Sequence, residues 1–118
     1  MLSMAMLPYG DWRVVALNDA PVDGTLSFSR ERFEVMFCNA TTALLVRQPG
    51  TLVPARNGAG TFQTERGCIN ADETPHISHS WDAAMLPILT QPLAVEATAS
   101  GYRLSNDRGS LRLEPLRR

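Results

Sequence analysis

The segment Arg32 to Asn39, RFEVMFCN, sets Phe33, Val35 and Phe37 against Glu34, Met36 and Cys38 one by one, and the recurrence of that period along the chain most restricts the fold. Successive side chains of a strand point to opposite faces, so the two sets line opposite sides. The same period of two returns in DWRVVAL from Asp11, TLSFS from Thr25 and TTALLVRQ from Thr41. After Leu93 it returns again in LAVEATA, GYRLSN and SLRLEP. Short alternating runs separated by turn residues build antiparallel sheet.

The punctuation between runs sets the order of elements. Asn18 to Gly24, NDAPVDG, reads as a loop because Asn, Asp, Pro and Gly each favour a bend. TLSFS and the strand after it then form a hairpin. Pro49-Gly50 is a second turn, and Thr51 to Ala55 reads as a short edge strand, since Pro54 lacks a ladder donor. Such an open edge is a place for a partner strand to pair. NGAG at Asn57 to Gly60 is a third turn, and Thr61 to Arg66 one more strand before Gly67-Cys68. The last three runs form a meander with Leu104, Leu111 and Leu113 inward.

Only Asn70 to Gln91 shows a helical period, with Ile77, Trp81, Ala84, Met85 and Ile88 on one face. Thr74 is placed to cap it, Pro75 suits the first helical position, and Asp72 and Glu73 lie at the positive end of the helix dipole. Pro87 loses an interior bond and clashes with the preceding turn, which predicts a kink or an end near Leu86. The fold class is therefore mainly β (α+β): a curved antiparallel sheet or partial β-barrel packed against one helix between Thr74 and about Gln91. One domain spans 11–118, behind an N-terminal tail at 1–10. A chain of 118 residues needs only one core.

Composition excludes several classes. The net charge of -1 gives no general attraction to nucleic acid or anionic membrane, although residues 101–118 hold five of the eleven cations, all of them Arg. No nucleic-acid partner is expected. The apolar start MLSMAML lacks a cationic residue and breaks at Pro8, so it is neither a signal peptide nor a membrane span. The chain thus reads as cytoplasmic, or as periplasmic or envelope-located if a leader has been removed. Oligomeric state is left open.

Chemistry-bearing residues are few. Cys38 and Cys68 are either a disulfide or two buried structural thiols, according to compartment. With His76 and His79 they supply two sulfurs and two nitrogens of the kind that suits zinc, but neither cysteine belongs to a C-x₂-C pair, so no metal or cofactor is assigned. A cysteine hydrolase using Cys38 or Cys68, with His76 or His79 and Asn39 as orienter, has the residue types but no supporting signature. No catalytic residue is assigned. Ile77, Trp81 and Met85 line either a small apolar pocket or the core that the sheet needs to cover it.

The order of these features resembles the META domain, the family that includes HslJ-like heat-shock proteins. The residues that carry the likeness are Trp12, Cys38-Asn39, Thr64 with Cys68, the helix around Trp81 and Met85, and YRLSNDRGSLRL near the end. They cover residues 11–115. The resemblance implies a small antiparallel sheet curved around one helix, a stress-response or envelope role, and no enzymatic activity. The expected function is a non-enzymatic binding or interaction module for a protein partner. A small hydrophobic-ligand carrier is the alternative, and a cysteine-dependent hydrolase comes third.

Overall fold

The computed structural model describes residues 5–116. Its strands are β1 (Gly10–Leu17), β2 (Ala20–Ser29), β3 (Arg32–Met36), β4 (Ala40–Gln48), β5 (Thr51–Pro54), β6 (Phe62–Gln63), β7 (Leu93–Ala97), β8 (Tyr102–Asn106) and β9 (Gly109–Pro115). Among the described residues a short 3₁₀ helix (Ala55–Gly58) follows β5, and one α-helix, α1 (Ser78–Leu89), lies between β6 and β7. Antiparallel pairing runs β1-β2-β3-β4-β5-β7-β8-β9 and returns to β1, so eight strands close into a barrel. The partial barrel expected from the sequence is therefore a complete one. The reason lies in the pairing of Trp12 to Leu17 with Leu111 to Pro115, which joins the two ends of the chain. β6 adds to β4 outside the ring, beside Thr41 and Thr42.

Closure changes two expectations about edges and turns. β5 is not an edge: Thr51 and Leu52 pair with β7, while Thr51 to Pro54 pair with β4. Pro54 is tolerated because it ends the strand. The loop expected over Asn18 to Gly24 contracts to Asn18-Asp19, both at positive φ (52° and 65°), as a two-residue hairpin turn of the type matched to strand twist requires. Pro21 and Gly24 lie within β2. Gly24 serves packing rather than turning, since a Cβ there would run into the Phe37 ring.

The interior is filled by alternate residues of every barrel strand. Val14, Phe28, Phe33, Val35, Leu45, Leu52, Leu93, Val95, Leu104, Leu111 and Leu113 are all buried, and Phe28 meets Phe33 edge-on at 5.5 Å between ring centres. An eight-stranded barrel is just wide enough for side chains to fill it. Leu104, Leu111 and Leu113 point inward as the sequence pattern requires. Phe37 does not join Phe33 and Val35: β3 stops at Met36, and Phe37 is half-buried above the barrel, 5.5 Å from the Trp81 ring.

Each mouth is closed by a different device. At the lower one residues 5–9 fold inward; the rest of the segment that the sequence reads as a tail, 1–4, lies outside the described residues. Leu7 is fully buried, and its carbonyl accepts a hydrogen bond from Arg47 at 3.3 Å. The Trp12 indole donates to the Pro8 carbonyl at 3.3 Å, and the Arg47 guanidinium lies 3.8 Å above the Tyr9 ring. At the upper mouth α1 spans from the β3–β4 turn to the β8–β9 turn and puts Met85, Ile88 and Leu89 into the core. Asn106 donates to the Ile88 carbonyl at 2.9 Å, fixing the far end.

The helix starts later than the sequence suggests. Thr74 and Pro75 belong instead to a narrow loop in which Ile69 bridges Pro75 and Asp72 accepts from the Thr74 backbone and hydroxyl. The N-cap position of α1 falls on Ile77, and His76 just before it accepts through Nδ1 from the Ser78 N–H at 3.1 Å. The helix passes through Pro87 to Leu89, so Pro87 does not end it. The buried face is Ser78, Asp82, Met85, Ile88 and Leu89, one step round from the expected face. Ile77 is 61% exposed, while Met85 is core.

If Leu7 is a plug, Leu7→Ala should cost about 2–5 kcal/mol, the range for emptying a packed aliphatic site. Urea denaturation is the measurement, and a midpoint equal to wild type would show that the lower mouth closes without it.

Candidate functional site

Polar chemistry gathers at the upper mouth, where the β3–β4 turn, the strand β6 with its following segment, and the first turns of α1 meet. Cys38 and Cys68 are joined as a disulfide, with Sγ–Sγ 2.02 Å and Cα–Cα 6.0 Å. The alternative of two free structural thiols is thus not the one adopted. Cys38 is 4% exposed, whereas Cys68 is half-exposed on the segment after β6. His79 stands beside the bond: its Nε2 is 3.9 Å from Cys38 Sγ and 3.0 Å from both the backbone N and the carbonyl O of Cys68, accepting from the N–H in one tautomer and donating to the carbonyl in the other.

Beneath the disulfide lies a buried polar clamp. Asp82, 3% exposed, accepts through Oδ2 from the Asn39 backbone N–H at 2.9 Å and from the Asn39 side-chain amide at 3.1 Å. The same amide reaches the Arg66 carbonyl at 3.2 Å, and Asn39 Oδ1 accepts from the Thr64 hydroxyl at 3.1 Å. Gln63 donates to Thr41 Oγ1 and to the Asp82 carbonyl, each at 2.7 Å. The turn, β6 and α1 are thereby tied at one point. Asp82 Oδ1 is buried with no hydrogen-bond partner among the described residues.

Of the four residues that the zinc reading grouped, three converge. The ligand atoms of Cys38, Cys68 and His79 lie within 4.8 Å of one another. His76 is elsewhere, with Nδ1 on Ser78 and its ring 6.4 Å from that of Trp81. For the hydrolase reading, Asn39 is held by Asp82, Arg66 and Thr64 rather than by an imidazole, so it orients the turn. A cysteine nucleophile must be a thiolate, which neither sulfur is while the disulfide stands. Ile77, Trp81 and Met85 do not share a pocket: one is exposed, one lies against Phe37, and one is buried in the core.

Asp82 and Gln63 were not singled out in the sequence. A signal for Asp82 exists: it is four residues after Ser78 and three before Met85, an acid at a core offset of an otherwise apolar stretch. A buried acid at such an offset calls for a donor from another element.

No family model matches the chain, and no curated protein matches it. A protein solved by NMR is similar in structure, with a TM-score of 0.69 over 92% of this chain and 90% of that one, at 18% identity. At that identity the likeness shows a shared fold alone.

Three outcomes follow from this geometry. Replacing both cysteines with serine should lower stability by about 3–4 kcal/mol, as expected for opening a loop of this length, and a reductant should then have no further effect on the variant's denaturation midpoint. Asp82→Ala should cost about 1–3 kcal/mol for each Asn39 donor left unpaired, with Asp82→Asn milder because it keeps an acceptor oxygen. The Thr74 hydroxyl, and then its backbone N–H, hold the Asp72 carboxyl below its ordinary value of 3.8. The loop's added stability is therefore present above that value and lost as pH falls through the lower, folded one. An NMR titration of Asp72 should show this depression, and Thr74→Val should relieve most of it.

Proposed function

We propose that this chain is a non-enzymatic interaction module of META/HslJ type, working on a protein partner in an oxidising compartment such as the cell envelope. The observation that carries the reading is the solid interior. Phe33, Val14, Leu45, Leu52 and Leu104 are fully buried, Leu7 plugs one mouth, and Met85, Ile88 and Leu89 fill the other. A carrier of this architecture needs a hollow lumen, which counts against the hydrophobic-ligand alternative. Recognition is then left to the outer surface.

Two features support a protein partner and a compartment. Ile69 at 66% and Ile77 at 61% exposed lie on the segment that the disulfide holds, and Phe62 at 55% lies on β6. Among the described residues β6 has β4 as its one strand neighbour, so its outer edge suits the addition of an extended peptide. The disulfide itself fits an oxidising setting.

Placing a photo-crosslinking side chain at Ile69 tests the reading. In an envelope extract it should yield a defined protein adduct, and Ile77→Asp should abolish the adduct while leaving the melting temperature unchanged. A stoichiometric small-molecule adduct in native mass spectrometry, with a raised Tm in a lipid or dye screen, would sink the module reading and restore carriage.

A further inference from the structure

We infer that reduction of the Cys38–Cys68 bond opens a metal site for zinc or another thiophilic divalent cation, built from Cys38 Sγ, Cys68 Sγ and His79 Nε2. It needs no partner protein and does not rest on the interaction reading. In a tetrahedral site with Zn–S of about 2.3 Å and Zn–N of about 2.0–2.1 Å, a sulfur and a nitrogen ligand stand about 3.6 Å apart. His79 Nε2 and Cys38 Sγ are already 3.9 Å apart. The two sulfurs must separate from a bond length to about 3.8 Å in the same geometry. Cys68 can supply that movement because it lies outside any strand or helix and is half-exposed.

The other two ligands are held in place independently of the disulfide. Cys38 precedes Asn39, whose N–H and amide are both bound by buried Asp82, and His79 is on the first turn of the same helix as Asp82. The clamp therefore keeps Cys38 and His79 facing each other when the bond opens. The Asn39 amide at 3.7 Å from Cys38 Sγ is placed to donate to a thiolate. His79 also lines an open recess with Thr64, Glu65, Arg66 and Gly67, from which water can supply a fourth ligand.

The chemistry balances with a dithiol as reductant. One dithiol transfers two electrons and two protons, becoming a cyclic disulfide, while Cys38 and Cys68 become thiols. Binding of the divalent cation then releases both thiol protons, and Nε2, with the ring proton on Nδ1, exchanges its hydrogen bonding to the Cys68 backbone for a bond to the metal. Oxidised and metal-bound forms are mutually exclusive, so zinc protects the thiols and the disulfide excludes zinc.

Cobalt(II) is the probe, added to full-length protein with and without a metal-free phosphine reductant under nitrogen. The reduced protein should bind one cobalt per chain with a thiolate-to-metal charge-transfer band and the intense visible bands of a tetrahedral site. The oxidised protein should show neither, and zinc should displace the cobalt. His79→Ala should weaken binding by more than about tenfold, a loss that even an outer-shell change can reach, whereas His76→Ala should leave it unchanged. Where reduction or a substitution loosens the fold, circular dichroism gives the second readout: zinc should restore the reduced wild type and not reduced His79→Ala. Absence of the charge-transfer band in folded reduced protein, His79→Ala binding as tightly as wild type, or zinc failing to restore a loosened wild type would each overturn the site.

Discussion

The pairing of β1 with β9 is the constraint on which the rest depends. Without it the eight strands would be one open sheet, with β1 and β9 each left as an exposed edge. With it, and with β3 on β4 and β5 on β7, the ring has no edge left. The interior then has a fixed radius, and the aromatic and aliphatic residues pointing inward must fill it. A ring has two open ends, however, and apolar side chains there would face water. The Leu7 segment and α1 answer that problem at opposite mouths. A barrel zipped by residues about a hundred positions apart also commits the chain to a large loop-closure cost before the last strand pair forms.

The lid is fastened twice, once through hydrogen bonds and once covalently, and the two fastenings hold different things. Asp82 binds α1 to the β3–β4 turn through one buried carboxyl oxygen that accepts twice from Asn39, and a typical hydrogen bond contributes about 0.5–1.5 kcal/mol net. The disulfide contributes about 3–4 kcal/mol, but it acts on the irregular segment between β6 and α1 rather than on the helix. That segment carries the exposed Ile69 and the narrow loop closed by Asp72 and Thr74. Losing the covalent link would release a loop while the helix stayed seated. The polar clamp thus sets the architecture, and the sulfur bridge sets the shape of one surface.

What the sequence shows of this fold follows from which forces are local. Strands whose alternation is strict, such as Phe33 with Val35 and Leu111 with Leu113, are legible because half-burial imposes a period of two. The closure of the ring is not, since no local signal says that Trp12 will pair with Pro115. Gly24 misleads because glycine has two uses, and here the absence of a Cβ makes room for the Phe37 ring rather than a turn. Thr74-Pro75 matches a helix start equally well, but the hydrogen bonds Thr74 donates to Asp72 and the bridge to Ile69 make a loop of it, and the helix begins only after Ile77. At the site, the cysteines stood out by rarity. Asp82 did not, because its meaning depends on Asn39, forty-three positions away.

The strand that starts the ring and the strand that ends it lie side by side and antiparallel, with Trp12 opposite Pro115. The start of β1 and the end of β9 therefore lie at one and the same mouth, the one that Leu7 seals. The helix lid, the sulfur bridge and the exposed isoleucines are at the other end. The barrel thus has one mouth where the chain enters and leaves the ring, and an opposite mouth, clear of both, that carries its polar chemistry.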